Sequence, residues 1–276
     1  LFSNLCIKTL KSRIVIVGTV ASFVFSNIVF IAHRIVRPES LALMFCLFAL
    51  FFATTYVGLL RHKHVFLLGL SLSLFSLIHP ICIIFYLSFM VGWMFLLFKN
   101  RILARSLVPF ILGHLPSALL VILYFRFWSI YAPVEWVGAV FGNDRIPGIS
   151  VLNGFFTNIA WIYEGYMMGA KRALLVGIEC VVIGWGICQL RRNQFAFFLS
   201  LITLLYFSIL LLVFQPLLRP YYTLLIPAVI LLMGLFVDSL RIKFPRIVFL
   251  LFIYAGYSLS GNAFLLWMNR GNEDYS

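Results

Sequence analysis

The sequence predicts an all-α fold: a polytopic transmembrane helix bundle of about nine spans, with one long extracytoplasmic loop rich in aromatic residues. Three observations carry this expectation. Of the 276 residues, 63% are hydrophobic and only 11% charged, where a soluble domain carries roughly 25% charged residues. The mean hydropathy is +1.08. Apolar runs recur along the chain between short polar breaks, at lengths close to the ~20 residues that cross a hydrocarbon core.

In order, the breaks delimit spans near 14–32, 41–59, 65–79, 81–98, 106–124, 173–190, 195–214, 221–237 and 246–268. His79-Pro80 alone separates the third from the fourth, so these two read equally as a hairpin that turns inside the membrane. Pro80 suits a helix start, where its missing N–H is not needed. Residues 125–172 form the one long connection, with turn signals at Gly142-Asn143-Asp144 and Pro147-Gly148. Its Trp, Tyr and Phe content suits a membrane interface, as a passive aromatic belt or as a lid over an embedded site. Pro220 reads as the start of the eighth span. Neither a repeat nor a domain boundary interrupts the pattern, so residues 1–276 read as a single transmembrane domain. The opening LFSNLCIKTLKSR reads as the tail of an earlier segment, and a missing N-terminal part is expected.

The connections set the orientation. With the N-terminus in the cytoplasm, segments 8–13, 60–64, 99–105, 191–194 and 239–246 are inside. They hold thirteen of the 21 lysines and arginines, as the positive-inside rule requires. Six of the 8 acidic residues then fall outside; Asp238 is inside and Glu179 lies within a span. A net charge of +13 here points to anionic lipid headgroups. Nucleic acid is not an expected partner, because no soluble basic domain exists to bind it. The five cysteines form no CxxC pair and read as small buried hydrophobes.

The motifs GxxxxGK[ST], GxGxxG, HExxH and GxSxG are absent, and the inside connections are too short for a nucleotide-binding domain. Polar chemistry is therefore expected on the outer face. In HRIVRPESLALMF (33–45), Arg34, Arg37 and Glu39 stand where a span begins. Glu39 reads either as a carboxylate favoured by the helix dipole or as one aimed into an outer cavity. In the second reading it orients an acceptor or holds a divalent cation (Mg or Mn), with arginines gripping phosphate. His79 is either an interfacial residue at a helix end or a proton carrier. In QPLLRPYY (215–222), Arg219 is a snorkelling cation or a grip on a lipid-linked phosphate, with Tyr221 beside it. Lys171 and Arg172 close the long loop on the same face. His114 reads as structural. Glu179 is an intramembrane carboxylate, which marks a functional site by default, though proton-coupled transport needs more such groups.

The order of an apolar span, Arg37-Pro38-Glu39, a basic turn and FLLGLSLSLFSLIHP (66–80) resembles the GT-C class of polytopic glycosyltransferases. The closest resemblance is to protein-mannosyltransferase-like and aminoarabinose-transferase-like members. RPYYTLLIPAVILLMG (219–234) resembles one of their later helices, and together the likeness covers roughly residues 5–100 and 195–237. It implies an enzyme of the bacterial cytoplasmic membrane that moves a sugar from a polyprenyl-phosphate carrier to an acceptor on the extracytoplasmic face. It implies that Glu39 is the second acidic group of the site, and that Arg37 and Arg219 meet the donor phosphate. Arg34, His79, Tyr221, Lys171 and Arg172 would line it. The family's main acidic residue lies in a first outer loop that would belong to the missing part, so this stretch alone is expected to be inactive. Two other readings compete. An O-antigen polymerase or ligase also uses outer Arg and His, but usually has more spans. A lipid flippase or transporter predicts several intramembrane charges.

Overall fold

The computed structural model describes residues 1–26, 38–56, 62–78, 80–100, 103–127, 171–213 and 224–268. Among them the chain is all-α, without a strand. The helices are α1 (Phe2–Thr9), α2 (Arg13–Val24), α3 (Pro38–Tyr56), α4 (His62–Ile78) and α5 (Pro80–Lys99). α6 (Leu103–Phe127), α7 (Lys171–Ile187), α8 (Gln194–Val213), α9 (Ile226–Leu240) and α10 (Phe249–Met268) follow. A 3₁₀ turn at Pro245–Val248 leads into α10.

All of these helices except α1 overlap the apolar runs read from the sequence, with three corrections. α9 opens at Ile226, not at Pro220; Pro227 occupies its first turn, where the missing N–H costs nothing. α6 continues through Phe127 and residues 171–172 are already helical. The long connection is therefore shorter at both margins than 125–172, because nothing in Phe125-Arg126-Phe127 breaks a helix. Lastly, Cys180 and Cys188 are exposed, whereas Cys6, Cys46 and Cys82 are buried as expected.

Ring contacts and hydrogen bonds fix the direction of each helix. Phe52 of α3 lies 6.3 Å from His64 of α4, so the end of one meets the start of the next. Along α5 and α8, Phe95 faces Phe197 and Phe85 faces Tyr206; the two are antiparallel. Trp185 of α7 packs on Phe236 of α9, both near their C-terminal ends. Gly18 of α2 abuts Leu251 of α10, and Ser22 Oγ donates to Leu251 O at 2.9 Å. From α2 to α10 the helices run alternately up and down. α1 folds back along α2, stacking Phe2 on Phe23 at 4.1 Å and burying Leu5 and Cys6 completely.

The closest approach is between α4 and α6. A methyl group at Gly69 would strike the Phe110 carbonyl oxygen, and one at Gly113 would strike that of Phe66. Four residues on from each glycine stands a serine, and Ser117 Oγ donates to Ser73 Oγ. Ser73 Oγ also reaches Gly113 O at 3.5 Å. Two small-xxx-small faces thus cross, the arrangement that lets helix backbones touch where apolar burial gives no direction. α6 carries Pro109 and Pro116 inside it; a helix tolerates these when neighbouring groups satisfy the freed carbonyls.

Large apolar side chains are also exposed on the outside of the bundle. α6 leaves Ile111, Leu115, Leu119 and Ile122 exposed, Ile122 to 62%. Its window Arg105–Leu123 and that of α5, Cys82–Lys99, are each long and apolar enough to cross a membrane. Several hydroxyls inside the bundle return their protons to their own helices: Thr19 to Val15 O, Ser88 to Ile84 O and Thr203 to Leu199 O, each within 2.8 Å.

The crossing makes a stability prediction. Gly113→Ala should cost about 1–3 kcal/mol by overpacking, seen as a lower unfolding midpoint in detergent. Gly177→Ala, where nothing lies within 4 Å of the new methyl, should not lower it. Equal losses in both would show that the α4–α6 approach is not a tight contact.

Candidate functional site

The described lysine and arginine side chains gather at one end of the bundle. Lys11 and Arg13 precede or open α2, Lys63 and Arg105 stand near the starts of α4 and α6, and Lys99 closes α5. Arg191 and Arg192 form the turn between α7 and α8, and Arg241, Lys243 and Arg246 follow α9. Hydrogen bonds tie these segments to one another. The Lys11 backbone N–H donates to Asp238 Oδ2 at 2.8 Å. Arg241 Nε donates to Asp238 Oδ1 at 2.8 Å. Lys99 Nζ caps Leu190 O at 2.6 Å, and Asn100 pairs with Gln194 through both amide groups. Lys8 lies 4.5 Å above the Phe51 ring, and partial burial holds its pKa below the ordinary lysine value. All these contacts lie at one end.

The opposite end is where α3, α5, α7 and α9 begin. Cys46 Sγ reaches Leu224 O at 3.7 Å, joining the first half of α3 to the approach of α9. The backbones of Glu39 and of Lys171 and Arg172 are helical, in α3 and α7; their side chains lie outside the described residues. Arg34, Arg37, His79, Arg219 and Tyr221 lie outside them altogether. Antiparallel packing thus carries the Glu39 and Lys171 backbones to the same end of the bundle. Among the described residues, no three His, Cys, Asp or Glu side chains converge as metal ligands.

Two polar contacts lie deeper. His114 Nδ1 donates to Phe110 O at 2.9 Å, since a carbonyl only accepts, which leaves Nε2 to accept from Tyr86 OH at 3.0 Å. With both ring nitrogens engaged, His114 links α6 to α5, the structural part expected of it. The second contact joins Glu179 of α7 to Tyr254 of α10: the buried phenol donates to Oε1 at 3.4 Å. Sequence spacing gave no sign of this pair, because the two residues are 75 positions apart. A buried tyrosine whose O–H needs a partner is the signal that would have suggested one.

Compared with known proteins, the chain matches no protein-family model, no curated protein and no solved structure.

The cationic end also yields a prediction. Asp238→Ala removes the acceptor of both Lys11 N–H and Arg241 Nε and should cost about 1–2 kcal/mol. Ser239→Ala, whose hydroxyl only returns to Phe236 O, should stay within about 0.5 kcal/mol of wild type. Unfolding midpoints in one detergent compare them; indistinguishable values would mean that Asp238 does not hold the helix ends together.

Proposed function

We propose that the bundle lies in the bacterial cytoplasmic membrane with its cationic end in the cytoplasm. On the other face it transfers a sugar from a polyprenyl-phosphate carrier to a lipid, glycan or protein acceptor. The observation that supports this best is the polarity of the bundle. Among the described side chains, the lysines and arginines and their hydrogen bonds gather at one end, and the helices that contain Glu39, Lys171 and Arg172 start at the other. Asymmetry of this kind is what the positive-inside rule produces. Exposed leucines and isoleucines on α6 suit lipid, since water-facing surfaces seldom carry contiguous apolar patches of this extent.

In this reading Arg37 and Arg219 grip the donor phosphate, with Arg34, His79, Tyr221, Lys171 and Arg172 around it. Glu39 orients the acceptor or holds a divalent cation, which would supply further charge neutralisation. The acceptor oxygen attacks the anomeric carbon as the bond from that carbon to the phosphate oxygen breaks. The acceptor's proton passes to a carboxylate base, and polyprenyl phosphate leaves with its charge held by the arginines. No nucleotide is consumed at the site, which accords with the absence of any nucleotide-binding motif.

The test uses the full gene product in membranes supplied with a radiolabelled polyprenyl-phosphate sugar. Glu39→Gln and Arg219→Gln should each lower transfer by on the order of 100-fold, with unchanged unfolding midpoints. Arg219→Lys should recover part of it, since a lysine keeps the charge and loses the fork. Full transfer by both neutral variants would refute the site. Labelling single cysteines at positions 192 and 171 from either side of sealed vesicles tests the orientation separately.

A further inference from the structure

A second site lies at the cationic end, away from the face assigned to chemistry. Where α2, α9 and α10 meet, Ile14, Arg241, Pro245, Val248, Phe249 and Phe252 line a cavity of about 250 Å³. Its walls are apolar apart from the one guanidinium. Ile14, Phe249 and Phe252 are exposed as well as lining it, so the cavity opens along the outer surface of the bundle between α2 and α10. Below it the same two helices close together, where Gly18 meets Leu251.

Cations lie in the lining and next to it in the chain. Arg241 stands in its wall, held in place by Asp238. That bond uses the N–H on Nε, one of five guanidinium donors. Arg13 adjoins Ile14, and Lys243 and Arg246 flank Pro245 in the chain; all three are exposed. Asp238 is the one acid among the described residues at this end, and its carboxylate is engaged by Lys11 N–H and Arg241.

We infer that this cavity binds the phosphate headgroup of an anionic phospholipid in the cytoplasmic leaflet, with its acyl chains running along Ile14, Phe249 and Phe252. The inference rests on the membrane orientation proposed above, and not on the transferase chemistry. Each part of the pocket matches one part of such a lipid. Arg241 and the exposed cations suit a phosphodiester, and the apolar walls suit the first carbons of the chains. The volume is below the roughly 300–1,000 Å³ of sites that enclose a whole drug-sized ligand. It fits a headgroup whose tails stay in the bilayer. Basic pockets between helices on the cytoplasmic side are the usual place for recognition of acidic lipids.

The experiment places the purified chain in nanodiscs of phosphatidylcholine, adds phosphatidylglycerol by titration, and follows the unfolding midpoint and the lipid retained in native mass spectrometry. We expect a saturable rise in midpoint and preferential retention of phosphatidylglycerol. Arg241→Gln, Lys243→Gln and Arg246→Gln together should weaken that affinity on the order of 100-fold, about fivefold for each cation. Ile14→Trp fills the exposed side of the cavity and should abolish the preference without lowering the midpoint in pure phosphatidylcholine. It decides the matter if the triple variant fails to fold. Arg191→Gln with Arg192→Gln removes charge at another turn of the same end and should leave the affinity unchanged. The proposal is overturned if that control loses as much, if Ile14→Trp retains the preference, or if inorganic phosphate alone gives the same rise. Release of the chain from native membranes by alkaline carbonate would instead count against membrane residence itself.

Discussion

A helix whose outer face is as apolar as its inner face is not oriented by burial of apolar surface, so something else must choose which face turns inward. In this chain that role falls to close backbone approach at small residues. Gly69 and Gly113 let α4 and α6 touch, and the serine one turn beyond each glycine adds a directional bond across the interface. The same device recurs at α2, where Gly234 of α9 comes within 2.5 Å of the Thr19 hydroxyl if given a methyl. It recurs again at α7, where Gly186 lies against Ser200 of α8. Larger aromatic side chains then fill the wider gaps, with Phe85, Phe89 and Trp93 of α5 completely or almost completely buried.

The hydroxyls follow from the same constraint. A buried Ser or Thr gains by giving its proton to an acceptor, because an unpaired hydroxyl is costly in apolar surroundings. Most give it to the carbonyl one turn earlier on their own helix, which makes them self-sufficient and able to occupy a contact face. A few bond across instead or as well, as Ser22 does to Leu251 O and Ser73 to Gly113 O. These set the rotation of α2 against α10 and of α4 against α6. Packing and polar satisfaction are thus one problem here, solved at the same positions.

The positions of the helices were legible in the sequence, because span length and charged turns are both written locally. Residues such as Lys99 or Arg191-Arg192 mark ends directly. Partner choice was not legible. Helices apolar on every side carry no periodic signal of which stripe is buried, so the α4–α6 crossing, the α5–α8 aromatic row and the Glu179–Tyr254 bond had to come from the fold. α6 extends past residue 124 because only the lack of a breaker, which is weak information, marks its end. At α9 the sequence pointed to Pro220 as the helix start; the helix opens at Ile226 with Pro227 in its first turn, and Pro220 lies outside the described residues. For the candidate site, the sequence supplied residue types at helix ends. The alternation of spans already set Glu39 and Lys171 on one face, and the antiparallel packing puts their backbones at the same end of the bundle.

The bond from Lys11 to Asp238 spans 227 residues, and α2 packs chiefly on α9 and α10, not on the helix that follows it. α2 therefore depends on helices that lie far along the sequence from it. α3 to α6 pack on near neighbours in sequence, whereas α2 turns Thr19 toward α9 and Ser22 toward α10. Contacts of such sequence separation form late, because the loop entropy between their ends is lost before they give anything back. Truncation after α8 would remove α9 and α10, the helices on which α2 chiefly packs.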